Sequence, residues 1–129
     1  MKTTISMPLR VLILSLNVAL AVSLAGMALA HAFLDHAAPG AGMEVVLPPS
    51  QVRLWFTQKL EPAFSDVTVT DDQGERFDDG GSWIDSADHT LMIVKLKPLH
   101  PGSYTVSWHV VSVDTHRTEG SYVFAVMER

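Results

Sequence analysis

The stretch "GSYTVSWHVVSVDTHRTEGSYVFAVME", Gly102 to Glu128, holds two alternating segments around a polar centre. In the first, Tyr104, Val106, Trp108 and Val110 share one side, and Thr105, Ser107 and His109 form most of the other. In the second, Tyr122, Phe124 and Val126 recur at every second position. A period of two marks a half-buried β-strand. Between the two strands stand Asp114 and His116, two residues apart. In extended chain that spacing projects both side chains to one side. Strand-joining segments on a rigid scaffold are where binding residues tend to sit.

Working outward, the same period recurs. In "QVRLWF" (51–56), Val52, Leu54 and Phe56 oppose Gln51, Arg53 and Trp55. "SDVTVTDDQGE" (65–75) alternates Val67 and Val69 with Thr68 and Thr70, then breaks at a turn around Asp72-Gln73-Gly74. "TLMIVKLKP" (90–98) reads as a further strand closed by Pro98, and "GMEVVLP" (42–48) as a short one. "DDQGERFDDGGSWIDSADH" (71–89) is polar, acidic and glycine-rich, and reads as a pair of turns or a long hairpin region. Its spacing does not match a calcium loop of the EF-hand type. No sustained helical period follows residue 30. About seven short strands in roughly a hundred residues predict an all-β domain, a Greek-key sandwich or barrel. Its three tryptophans and five phenylalanines are expected to supply much of the buried area, and Met92 and Met127 to fill the core.

The first thirty residues have a different character. Lys2 and Arg10 precede "VLILSLNVALAVSLAGMALA" (11–30), and Ala28 and Ala30 occupy small-residue cleavage positions. This is the pattern of a secretory signal peptide, residues 1–30, and no stop-transfer charges follow it. The expected mature domain is 31–129, released after export. It retains all 14 acidic residues but only seven basic ones, for a formal charge of −7 with histidines neutral. That balance lacks the basic footprint a nucleic-acid partner would require. There is no cysteine, so neither a disulfide nor a thiolate ligand is available.

Cleavage after Ala30 would leave His31 at the N-terminus. Its α-amine and ring Nδ1 can then close a five-membered chelate, so that binding of one donor brings the second into reach. Added to Asp114 and His116, they give three nitrogens and one oxygen, a tetragonal set suited to Cu(II). Both imidazoles and the amine must be unprotonated to bind. Of the other histidines, His36 beside Asp35 and His109 read as strand surface, and His89 and His100 flank turns.

The sequence resembles the CopC family of periplasmic copper-binding proteins along essentially the whole of 31–129. "HAFLDHAAPG" (31–40) is similar to the family opening, "VRLWFTQKLEPAFSDVTVTDDQGE" (52–75) to its middle strands, and "PLHPGSYTVSWHVVSVDTHRTEGSYVFAV" (98–126) to its most specific segment. The resemblance implies a cupredoxin-like Greek-key β-barrel that binds one Cu(II) per chain. It implies a histidine brace at His31, completed by Asp114 and His116. It also implies a copper carrier or buffer in copper homeostasis or resistance, with a CopD-like inner-membrane protein as partner, and a monomer is expected. Some family members carry a methionine-rich Cu(I) site. Here Met43, Met92 and Met127 are far apart, and Phe33 stands where some members have another histidine.

Two other functions compete. Copper-dependent polysaccharide monooxygenases use the same N-terminal brace, but they need open coordination positions, one of which Asp114 would fill. An immunoglobulin-like structural module would leave the histidines incidental. With no cysteine, no G-x-S-x-G elbow and no phosphate-binding glycine loop, nucleophilic catalysis has little support and an enzyme is not expected.

Overall fold

The computed structural model describes residues 32–129; the segment read as a signal peptide, and His31 with it, lie outside the described residues. Eight strands follow in order: β1 (Leu34–Ala38), β2 (Glu44–Val45), β3 (Gln51–Phe56), β4 (Asp66–Asp71), β5 (Asp78–Ile84), β6 (Leu91–Leu96), β7 (Gly102–Val111) and β8 (Arg117–Val126). A single 3-10 turn, Pro62–Phe64, precedes β4. The strands form two four-stranded sheets, ordered β1-β3-β6-β5 and β2-β8-β7-β4. All pairings are antiparallel except β2 with β8. The domain is all-β, as the alternation predicts.

The alternating residues meet between the sheets. Val52, Leu54 and Phe56 of β3 face Val67 and Val69 of β4, Tyr104, Val106 and Val110 of β7, and Phe124 and Val126 of β8 in one buried cluster. Each such side chain, fully buried, contributes about 1.5–3 kcal/mol. The rings of Tyr104 and Phe124 stack at 5.6 Å between centroids. Phe77 meets Tyr104 edge-on at 5.3 Å. Both buried tyrosines keep a hydroxyl partner: Tyr104 donates to the His100 carbonyl (2.6 Å) and Tyr122 to the Pro39 carbonyl (2.7 Å). Burial pushes both phenol pKa values up.

β4 and β5 begin as a hairpin, with Phe77 N–H bonded to the Val69 carbonyl at 2.8 Å. β5 then crosses to the other sheet to pair with β6. Where it leaves β4, its side chains take over from its backbone. Asp78 Oδ1 accepts from Val69 N–H at 3.0 Å, and Ser82 Oγ accepts from Val67 N–H at 3.0 Å.

The structure departs from the sequence reading at four points. There are eight strands where about seven were expected: β5 lies in the segment read as a pair of turns or a long hairpin region, and of the two it is the hairpin that forms. Its register with β6 slips between Asp78 and Ser82, and Gly80 and Gly81 there hold φ of 80° and 88°. This bulge interrupts the alternation that marks a strand. Not all the aromatics are buried: Phe33, Phe64 and Trp83 are exposed large apolar residues. Phe33 and Phe64 lie outside the strands, and Trp83 sits on the solvent face of β5. Met92 is core, but Met127 is exposed just past the end of β8. The fourth departure concerns the Asp114–His116 segment.

Candidate metal centre

β7 and β8 pair in register from Gly102↔Val126 to Val111↔Arg117. The ladder runs one step further, with Ser112 N–H bonded to the His116 carbonyl at 3.0 Å. Only Val113, Asp114 and Thr115 remain as the tip. Thr115 N–H returns to the Ser112 carbonyl at 2.8 Å, and Thr115 has φ of 70°. A tight turn followed by one left-handed residue is a common way to close a three-residue hairpin. The segment is therefore a tight turn, and the extended-chain argument for a shared side-chain direction does not hold. The hairpin sets Asp114 on its tip and His116 at the foot of the tip, opposite Ser112, and both are exposed.

Three further segments gather at this end of the sandwich. Val113 N–H donates to the Lys59 carbonyl (3.0 Å) and Glu61 N–H to the Val111 carbonyl (2.8 Å), laying residues 59–61 along the hairpin. Leu60 N–H donates to the His89 carbonyl at 3.0 Å, bringing in the β5–β6 connection. Ala32 is wholly buried, and its carbonyl accepts a hydrogen bond from the Thr118 hydroxyl of β8. Phe33 N–H donates to Thr57 Oγ1 at 3.0 Å, and Thr57 N–H donates back to the Phe33 carbonyl at 2.8 Å. Thr118 is two residues past His116, so the peptide next to His31 is bonded to the strand that leaves the hairpin tip. Thr57 and Thr118 carry no motif in the sequence. Their role follows from pairings across 24 and 86 residues, which periodicity does not reveal.

Among the described residues no group of three His, Cys, Asp or Glu side chains is placed to hold a metal ion. In the ligand set expected from the sequence, Asp114 and His116 would supply two donors and His31 the other two. An open groove of about 620 Å³ runs beside the tip, lined in part by Phe64, Asp66, His109, Arg117 and Glu119. Neither Asp114 nor His116 lines it, so the two donors sit next to the groove rather than in it.

Of the remaining histidines, His89 lies on the β5–β6 connection at this same end and His109 lines the groove, while His36 and His100 lie farther off. His109 is exposed on β7, in register with Asp66 and Glu119, while the Asp66 carboxylate accepts from Ser82 Oγ at 2.9 Å. His36 bonds Asp35 at 2.7 Å and stacks on Trp55 with centroids 4.4 Å apart, on the other sheet. His100 meets Phe77 edge-on near the β4–β5 turn. Met43 Sδ accepts from Gly40 N–H at 3.2 Å, well away from Met92 in the core. The tryptophans form no common platform: Trp108 packs toward Phe56 and Tyr122, whereas Trp55 and Trp83 lie on the opposite sheet.

The model of the CopC domain family matches residues 34–127 of this β-sandwich. The chain belongs to the CopC domain family. It is 40% identical over 98 residues to Protein YobA of Escherichia coli strain K12, covering 75% of this chain and 79% of that one. It is 32% identical over 114 residues to Copper resistance protein C of Escherichia coli, covering 83% and 90% respectively. The solved structure of CopC from Methylosinus trichosporium OB3b is similar with a TM-score of 0.72 and 32% identity, over 77% of this chain and 96% of that one.

Proposed function

We propose that this protein is an exported Cu(II) carrier or buffer that serves copper homeostasis or resistance and is not an enzyme. In this reading residues 1–30 are cleaved on export to the periplasm and His31 becomes the N-terminus. Its amine and imidazole, with Asp114 and His116, bind one Cu(II) per chain. The protein acts as a monomer, and a CopD-like inner-membrane protein is the partner. The names of the copper resistance relatives support the cargo. The observation that carries the reading is the bond from Thr118 to the Ala32 carbonyl, which ties the residue after His31 to the strand that begins just past His116. Consecutive Cα atoms are about 3.8 Å apart, so His31 starts one step from that anchor. Three nitrogens and a carboxylate oxygen match the ligand preference of Cu(II).

Mass spectrometry of the exported protein, with and without one equivalent of Cu(II), reports both the cleavage site and the stoichiometry. A start at His31 and a single bound copper are expected. A variant with one residue added before His31 should bind much more weakly. Equal affinity in that variant would rule out the amine as a ligand. His116→Ala should cost more affinity than Asp114→Asn, because it removes an equatorial nitrogen rather than a charge. Electron paramagnetic resonance of the Cu(II) forms counts the nitrogen couplings, and an unchanged spectrum in His116→Ala would remove His116 from the site.

A further inference from the structure

We propose that Thr118 is a positioning residue for the copper site: its hydroxyl, bonded to the Ala32 carbonyl, sets the place of the His31 donors relative to the Asp114–His116 tip. This rests on the copper-binding reading above. The first residues of a domain are poorly ordered unless something ties them down. A chelating residue at a free chain end would be spread over many positions, and its effective concentration at the hairpin tip would be low. The hydrogen bonds at this end of the sandwich counter that spread. Ala32 is held by Thr118, and Phe33 is held from both its N–H and its carbonyl by Thr57. Residues 59–61, two further along from Thr57, are bonded to Val111 and Val113. Ser112 closes on His116, and two residues on stands Thr118 again. The bonds form a closed circuit through three segments distant in sequence.

Within this circuit two contacts use side-chain hydroxyls, Thr118 on Ala32 and Thr57 on Phe33, and of the two residues held only Ala32 is buried. The links through 59–61 are backbone bonds that side-chain substitutions other than proline leave in place. Thr118 contributes a side-chain hydroxyl, and the residue it holds is wholly buried. A buried carbonyl deprived of its donor is strongly disfavoured, so without the hydroxyl the N-terminal peptide is expected to swing out toward water. The occupied position of His31 would then be one of many, and the chelate would have to pay back the lost order on binding.

The experiment compares wild type, Thr118→Val and Thr118→Ser as exported proteins. Thr118→Val keeps the shape and removes the hydroxyl; Thr118→Ser keeps the hydroxyl. Thr118→Val should bind Cu(II) about tenfold more weakly or worse, with faster release, and Thr118→Ser should restore most of the affinity. Hydrogen exchange of the Phe33 amide, read without copper, should quicken in Thr118→Val while amides in the middle of β7 and β8 keep their protection. Wild-type affinity and an unchanged resonance spectrum in Thr118→Val would overturn the inference while leaving the copper reading intact. Weak binding accompanied by a general loss of protection along β8, with no recovery in Thr118→Ser, would also overturn it, since Thr118 would then be a stability residue only. If wild type binds no Cu(II), or binds as well with a residue added before His31, the copper reading falls and this inference falls with it.

Discussion

Trp108 occupies the space that a side chain at Gly120 would need. The two residues face each other across β7 and β8, and a Cβ on Gly120 would come within 2.5 Å of Cζ2 of the indole. The ring is pinned between Phe56 and Tyr122, so it has little room to retreat. Gly120→Ala should therefore destabilise the domain by about 1–3 kcal/mol, the usual cost of overpacking. Denaturant midpoints measure it. In a Trp108→Leu background the same substitution should cost much less, because contacting residues couple. Equal costs in both backgrounds would show that the indole is not the obstacle.

Thr115 presents the opposite case, a side chain where a glycine would fit better. A β-branched residue at φ of 70° is strained, and the left-handed conformation costs about 1–2 kcal/mol. Thr115→Gly relieves this but loosens the unfolded chain by about 0.4–1 kcal/mol. A net gain of about 0.5–1 kcal/mol is expected, seen as a Tm about 2–8 °C higher. A lower Tm would mean that the threonine holds the turn by other means. Strain kept at a hairpin tip that also carries Asp114 and His116 fits the tendency of strain to gather at functional sites.

Asp78 gives the domain a pH-dependent contribution. Two short hydrogen bonds from Arg76 (2.7 and 2.6 Å) hold its carboxyl below the usual carboxylate range, against the opposing effect of burial. A depressed native pKa favours folding once the unfolded carboxyl, with a pKa near 3.9, has ionised. That contribution is complete above about pH 4 and is lost as pH falls through the native pKa. Wild type should exceed Asp78→Asn in stability at neutral pH, and the gap should close on acidification below about pH 4. Chemical denaturation from pH 7 to pH 2 follows it; a constant gap would show that the charge of Asp78 contributes nothing.

His36 and His109 are expected to leave copper binding alone. His109 lies on the exposed face of β7 and His36 on the other sheet, stacked on Trp55. His36→Ala and His109→Ala should keep one Cu(II) per chain at wild-type affinity in a competition titration. A tenfold loss in either would place that histidine in the site.

The strands that alternate cleanly were legible from the sequence almost to the residue. Gln51–Phe56 is β3 as quoted, and the Tyr104–Val110 and Tyr122–Val126 patterns face the core as their period required. β5 was not legible as a strand, because Gly80 and Gly81 break its alternation and none of its side chains is fully buried. The two-residue spacing between alternating strands singled out Asp114 and His116, but their local geometry was misread. Threonine is an unusual residue for a left-handed turn position, so nothing in "VDTHR" announces a tight hairpin. Exposure of Phe33 and Phe64 was hidden for a related reason. Composition counts aromatic residues but does not say which of them lie outside the sheets.

The side chains of Asp78 and Ser82 have a consequence beyond the fold. β4 is the last strand of its sheet, and a bare last strand offers its backbone N–H groups as a template for another chain. Here Val67 and Val69 are already bonded by side chains of the departing β5. At the opposite border of the same sheet, β2 is only two residues long, too short to recruit a partner strand. A domain without a single disulfide is thereby guarded against edge-to-edge aggregation at both margins of this sheet. Removing the Ser82 hydroxyl should register first in the fraction of protein that stays soluble on prolonged incubation.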